Sequence, residues 1–234
     1  MKITLIQLDQ TNPRIGHRFE RYPPFFQTLF HGAGFEFQTA WVLDGEALPD
    51  PAELDGVIIT GSKFGVYDDP PWIDPLRGFI RDAYAAQTPM LGVCFGHQIM
   101  AEALGADVRK APQGWGLGRQ DYALALRPGW ARGLPDTVAL AASHQDQVLS
   151  LPDGAELFLR SEFCPFAGLI YGGGGAISLQ PHPEYEPDYA KALIDLRDGE
   201  ALSPEAAAER RASLDTDLHD KAMGEALARF FRER

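Results

Sequence analysis

A cysteine framed by glycines, Gly92-Val93-Cys94-Phe95-Gly96, is the first place in this chain where residue types and spacing could make and break a covalent bond. The run Pro89–Val93 before it reads as a buried strand and Gln98–Leu104 after it as a helix, so the cysteine falls on a strand-to-helix turn. Such a nucleophile elbow is strained and has no room for side chains beside the reactive one, which accounts for glycine at 92 and 96. The turn sets the sulfur at a helix N-terminus, the positive end of a dipole that favours anions. It also aims the backbone N–H of Phe95 at the position where an oxyanion would develop. Taken by itself, the pattern fits a small buried residue equally well, because free cysteine is among the most buried types. Cys164, between Phe163 and Pro165 with no glycine frame, takes that second reading.

A cysteine nucleophile needs a base and something to orient the base. Among six histidines, His182 stands in Gln180-Pro181-His182-Pro183-Glu184, directly after the strand-like run Ala176–Leu179. The two prolines hold this segment extended, and residues two apart in an extended chain point the same way. His182 and Glu184 can therefore face one site, with the carboxylate orienting the imidazole and stabilising its charged form. His97 reads as a packing or hydrogen-bonding residue of the elbow helix, and His17, His31 and His219 as solvated. Asp146 reads either as a polar contact near the site or as a loop cap.

Three blocks in this order resemble the class I glutamine amidotransferases: Gly92-Val93-Cys94-Phe95-Gly96-His97-Gln98, Ser143-His144-Gln145-Asp146-Gln147-Val148 and His182-Pro183-Glu184. The resemblance covers roughly residues 1–195. It implies that Cys94, His182 and Glu184 are a catalytic triad, and that Gln98 with the Ser143–His144 backbone holds the α-amino and α-carboxylate groups of a glutamyl substrate. It places the second oxyanion-hole amide in Thr60-Gly61-Ser62. Many members have two glycines there, so the N–H of either Gly61 or Ser62 serves beside that of Phe95. His144, on this resemblance, belongs to a substrate-binding loop and not to proton transfer.

The implied reaction is hydrolysis of the γ-amide of glutamine to glutamate and ammonia, with no metal and no cofactor. An amidotransferase also needs a site that consumes the ammonia. The chain has no Gly-rich P-loop and no Ser-Gly-Gly-x-Asp-Ser pyrophosphatase loop, so either a separate synthetase subunit binds it or it is a free-standing hydrolase. The resemblance is strongest to stand-alone GMP-synthase-like members and to γ-glutamyl peptidases that act on glutathione-like compounds. A catalytically silent binding protein of the same fold is the remaining alternative. Two segments bear on substrate size: Thr11–Pro24, with Arg14, Arg18, Glu20, Arg21 and Tyr22, and Thr60–Trp72, with Lys63, Tyr67 and Asp68. Both lie on the expected catalytic edge, as readers of something larger than glutamine or as solvated loops.

The elements that must hold these residues alternate in type. Ile3–Leu8, Glu36–Leu43, Gly56–Thr60 and Pro89–Val93 read as strands, with helices over Phe19–His31 and Trp72–Ala86 between them. That alternation indicates βαβ units. Asp121–Leu126, Val138–Ala142, Glu156–Arg160, Ala167–Tyr171 and Ala176–Gln180 read as short strands of a mixed sheet or an antiparallel flap. Helices over Pro187–Arg197 and Pro204–Arg232 close the chain. The expected architecture is a three-layer α/β fold of flavodoxin-like, class I amidotransferase type, with a mostly parallel central sheet. It forms one domain over 1–234, with a core over about 1–195 and a helical extension over about 203–232. The extension packs on the domain or against a second copy, leaving a homo-oligomer open. Apolar and charged fractions of 45% and 23% are ordinary for a soluble globular protein. A net charge of −12 works against a nucleic-acid partner, which needs a basic surface. The acidic start of the chain and the lack of a long apolar run point to a cytoplasmic protein with reduced thiols and no membrane segment.

Overall fold

The computed structural model describes residues 1–19, 23–172 and 175–233. Glu20, Arg21 and Tyr22 of the first loop lie outside the described residues.

The first half alternates as expected. Strand β1 (Lys2–Ile6) is followed by helix α1 (Pro23–Leu29), β2 (Glu36–Ala40), β3 (Gly56–Ile59), α2 (Ile73–Ala85), β4 (Met90–Val93) and α3 (Phe95–Ala103). The second half adds β5 (Val108–Lys110), β6 (Gly116–Leu124), β7 (Thr137–His144), β8 (Asp146–Val148), β9 (Glu156–Arg160), β10 (Gly168–Tyr171) and β11 (Ala176–Leu179). Helices α4 (Pro187–Asp195), α5 (Pro204–Ser213) and α6 (Asp220–Arg232) complete the chain.

Nine strands form one sheet in the order β2-β1-β3-β4-β11-β10-β9-β6-β7, and β5 and β8 pair separately as a small antiparallel sheet. The first five strands in that order run parallel, and the remaining four continue the sheet antiparallel. Apart from the edge strand β2, the parallel strands are short apolar runs buried on both faces, as a sheet covered by helices on each side requires. Alternate side chains serve opposite layers. Ile3, Leu5, Ile58, Leu91 and Val93 pack with α1, α4 and α6. Ile6, Val57, Ile59 and Met90 pack with α2 and α3 on the other side. No helix among the described residues is long and apolar enough to cross a membrane.

Helix α1 is shorter than the expected Phe19–His31, α3 starts at Phe95 and not Gln98 because the elbow leads straight into it, and three further boundaries differ for local reasons. The second strand ends at Ala40, because the chain turns into a short 3-10 segment, Val42–Asp44, closed by Gly45 at φ 91°. The strand expected over Asp121–Leu126 begins at Gly116 and runs nine residues. The closing helix is two helices, not one. Leu214–His219 separates α5 from α6, and its Asp, Thr and Asp residues compete with helix geometry through side-chain hydrogen bonds. Thr216 Oγ1, for example, donates back to the Ser213 carbonyl at 2.7 Å.

That interruption also corrects the reading of His219 as solvated. Its backbone N–H donates to the Ala139 carbonyl at 2.8 Å, and its ring Nδ1 accepts from the Ala139 N–H at 2.9 Å. His219 thereby covers the free edge of β7, the last strand of the sheet. The apolar face of α6, including Met223, Leu227 and Phe230, lies in the same core as the sheet.

Candidate active site

Three strand ends converge where β3, β4 and β11 lie side by side and parallel. Open α/β sheets take ligands outside the carboxyl ends of such strands. After β3 comes Thr60-Gly61-Ser62, after β4 comes Cys94, and after β11 comes Gln180-Pro181-His182. A backbone hydrogen bond from Cys94 N–H to the Leu179 carbonyl, 2.8 Å, ties the last two together.

Cys94 precedes α3 with φ 54° and ψ −103°, a conformation that side-chain-bearing residues rarely adopt. Both flanking glycines are needed for it. A Cβ on Gly92 would lie 2.5 Å from the Gly96 carbonyl oxygen, and a Cβ on Gly96 would lie 2.1 Å from the Ile59 oxygen. The turn therefore presses α3 directly against the backbone of β3 and β4. The N–H of Phe95, first residue of α3, has no hydrogen-bond acceptor among the described residues, as expected at a helix start. The Sγ of Cys94 lies 4.0 Å from the Ser143 carbonyl.

His182 is fixed from three sides. Its N–H donates to the Ala141 carbonyl at 2.8 Å, which makes it an isolated bridge to β7. This contact requires the sheet to coil, since β7 stands four places beyond β11 in the strand order. The imidazole stacks on Tyr185 at 3.8 Å and 7°. Its Nδ1–H donates to Glu184 Oε1 at 2.7 Å, with both side chains almost fully buried. Burial alone would discharge this imidazole. The Glu184 carboxylate and, after it, the Cys94 sulfur outweigh that effect and raise the pKa of His182 to about 10.

The remaining histidines near the site are neutral by the same physics. Burial lowers His144 to about 4, with His182 adding to the effect against a bond to Asp146. Its Nδ1–H donates to the Asp146 carbonyl at 3.2 Å. Burial likewise lowers His97 to about 3, and this ring bonds Ser178 Oγ at 2.7 Å beneath the elbow. Cys164 is buried and pushed up to about 12.

Two cavity lobes meet at Cys94 and share Ser62, Lys63, Ser143 and Arg197. The first, about 230 Å³, contains His182, Asp9, Tyr189 and Leu193. The second, about 320 Å³, contains Gln98, His144, Tyr67 and Asp146. Gln98 gives both of its N–H groups away, to the Asp146 carbonyl at 2.9 Å and to Gln180 Oε1 at 3.1 Å. It thereby clamps the Ser143–Val148 segment in place and leaves its carbonyl oxygen for other use. Asp146 combines two jobs, since its carbonyl anchors Gln98 and His144 while its carboxylate bonds the Tyr67 phenol. Ser62 lines both lobes, whereas Gly61 lines neither. Among the described residues, no group of three His, Cys, Asp or Glu side chains is arranged to hold a metal ion.

The structure thus brings Cys94, His182, Gln98, Ser143, His144 and Ser62 to one cavity, with Glu184 directly behind His182. From the Thr11–Pro24 loop, Thr11, Asn12 and Pro13 reach the first lobe, whereas Arg14 is exposed and pairs with Glu200 at 3.2 Å. Sequence reasoning did not find Arg197, Trp115 or Asp9, which come from segments that carry no motif, or Tyr185, whose role is the stack on His182.

The model of the family "Glutamine amidotransferase class-I" matches residues 36–195. Gamma-glutamyl peptidase 5 of Arabidopsis thaliana is 32% identical over 183 residues, 73% of this chain and 70% of that protein. A glutamine-hydrolyzing GMP synthase subunit of Methanopyrus kandleri is 34% identical over 127 residues, 50% of this chain and 65% of that protein. The crystal structure of a glutamine amidotransferase from Thermotoga maritima superposes with a TM-score of 0.77 at 22% identity, covering 99% of this chain and 98% of that one.

Proposed function

Because this chain belongs to the class I glutamine amidotransferase family, we propose that Cys94, His182 and Glu184 act as a triad that hydrolyses the γ-amide of glutamine. One observation carries the proposal: a buried imidazole, held by a buried carboxylate at 2.7 Å, sits beside a cysteine strained into a helix-start elbow.

The Cys94 thiolate attacks the γ-carbonyl carbon, and the oxyanion forms against the N–H of Phe95. Ser62 supplies the second N–H, a choice over Gly61 that rests on its position in the cavity wall. One such donor is typically worth about 3 kcal/mol of barrier. Charged His182 protonates the departing nitrogen as the C–N bond breaks, leaving a thioester on Cys94. The now neutral imidazole takes a proton from water, whose oxygen attacks the thioester and releases glutamate and the thiolate. Glu184 keeps the imidazole in one tautomer throughout. Gln98, with the backbone of Ser143 and His144, receives the α-amino and α-carboxylate groups in the second lobe. His144, held neutral, takes no part in proton transfer.

The relative named for a part of GMP synthase supports the view that a separate synthetase consumes the ammonia. A second reading, hydrolysis of larger γ-glutamyl compounds, is favoured by the size of the lobe at His182. The shared core of sheet and C-terminal helices supports a single unit over residues 1–234.

Pure protein is to be assayed against glutamine, glutathione and a γ-glutamyl anilide. Cys94→Ala and Cys94→Ser are expected to abolish whatever turnover the wild type has, and activity persisting in Cys94→Ala refutes the mechanism. Glutamine turnover seen only with a partner marks one half of a two-component synthetase, and no turnover of any substrate marks a silent binding protein.

A further inference from the structure

The two lobes at Cys94 differ in which catalytic group they contain, and the difference assigns a direction to the bond that breaks. Gln98 and His144 line only the second lobe, and His182 lines only the first. The group that protonates the departing nitrogen must be within reach of it. On the triad reading, from which this inference proceeds, the acyl half therefore lies in the second lobe and the amine leaves through the first.

Ammonia does not need that much room. A molecule of its size occupies roughly 10–15 Å³ of such space, against about 230 Å³ in the first lobe. Tyr189, Leu193 and Leu196 give the lobe an apolar side.

Where the two lobes join stands Arg197. Its guanidinium lies 3.9 Å from the centroid of the Trp115 ring and gives one N–H to the Leu193 carbonyl at 3.0 Å. It forms no salt bridge among the described residues. Asp9, the carboxylate of the first lobe, is already occupied, accepting from the N–H groups of Gln10 and Lys63 at 2.8 and 2.7 Å. Burial lowers the pKa of Arg197, and the neighbouring Tyr185, Cys94 and Glu200 only partly offset it. By contrast, Arg77 is raised chiefly by its bond to Glu102. A half-buried guanidinium stacked on an indole, with its remaining donors facing a cavity, is a fixed receptor for a carboxylate.

We propose that the first lobe receives the amine half of a γ-glutamyl amino acid or peptide, and that Arg197 binds the free carboxylate of that leaving amine. The chemistry is balanced as for glutamine: the Sγ–carbonyl bond forms, the C–N bond breaks, and His182 supplies the proton with which the amino acid departs.

The test compares γ-glutamyl-leucine with its C-terminal amide, which keeps the scissile bond and the apolar side chain but lacks the carboxylate. In the wild type, kcat/KM for the free acid is expected to exceed that for the amide by about 10- to 100-fold, the worth of a charged hydrogen bond. Most of the difference should lie in KM. Arg197→Gln should bring this ratio close to one, and Arg197→Lys should retain part of it. A structural role would lower both substrates alike and leave the ratio unchanged. A wild-type ratio near one, or one that Arg197→Gln does not move, overturns the inference. Glutamine turnover without dipeptide turnover also overturns it while leaving the triad standing. Hydrolysis of neither glutamine nor the dipeptide by the wild type, alone or with a synthetase partner, overturns both.

Discussion

At the scale of single residues, the site depends as much on what is missing as on what is present. Cys94 can sit at φ 54° only because α3 comes down onto β3 and β4 with no Cβ between them. The obstacle that a side chain at 96 would meet is the Ile59 carbonyl, which is backbone of the central sheet and cannot swing away. Overpacking of this kind costs about 1–3 kcal/mol even where neighbours are side chains. Gly96→Ala is expected to lose at least about 2 kcal/mol, which in a chain of this length is a fall in Tm of roughly 4–8 °C. It should lose γ-glutamyl hydrolysis as well, since Phe95 N–H and Cys94 Sγ shift together. Thermal unfolding and the hydrolysis assay report on the two effects separately. A Gly96→Ala protein with wild-type Tm and wild-type activity would show that the close approach is not needed.

At the scale of elements, the edge of β7 is held by two histidines that come from separate segments later in the chain. His182 donates its N–H to Ala141, and His219 bonds both polar groups of Ala139. Exposed edges of long strands invite pairing with other chains, so covering them matters beyond stability. Ala139 is 1% exposed, and His219→Ala would leave its N–H buried without the ring acceptor. That loss is expected to cost about 1–3 kcal/mol, visible as a lower denaturant midpoint at unchanged slope. His219→Asn, whose Oδ1 can stand where Nδ1 does, should recover most of it. Equal stability of the wild type and His219→Ala would mean that the ring bond contributes nothing.

The same element shows where sequence patterns run out. Apolar periodicity and glycine punctuation were enough to place β1, β3, β4, α2, α4 and β9 to β11 within about two residues, because each is a local pattern with its own core face. The glycine frame of Cys94 and the extended His182-Pro183-Glu184 were legible for the same reason. The break at Leu214–His219 was missed although it leaves a trace: the five-residue step from Leu218 to Met223 turns the apolar stripe about 140° on a continuous helix. What ends α5 there includes a hydrogen bond to a strand far away in the chain. Arg197 escaped for a related reason. Its value comes from Trp115, Leu193 and the cavity between them, none of which is near it in any pattern except Leu193.

At the scale of the whole molecule, the buried imidazoles give stability a dependence on pH with two limbs. His182 has its pKa raised to about 10 in the folded state, from an ordinary value of 6.5. A raised group contributes stability that is fully present below its unfolded pKa and is lost as pH rises through the folded one. His182 therefore favours the fold at neutral pH and progressively less from about pH 6.5 to about pH 10. His97 and His144 are lowered to about 3 and about 4, so they act on the other side. Below about pH 6.5 the unfolded chain binds protons there that the folded chain refuses, and stability falls with pH. Below about pH 9, where the buried Cys164 thiol begins to contribute, the alkaline limb belongs to one pair, because burial opposes the charge on His182 and the Glu184 carboxylate is the leading influence that sustains it. Glu184→Gln keeps a carbonyl acceptor for Nδ1–H but removes that charge. The denaturant midpoint of this variant should be lower than wild type near pH 6.5, with the two converging by about pH 10. If the alkaline limb of Glu184→Gln were as steep as that of the wild type, the charged His182–Glu184 pair would not be its source.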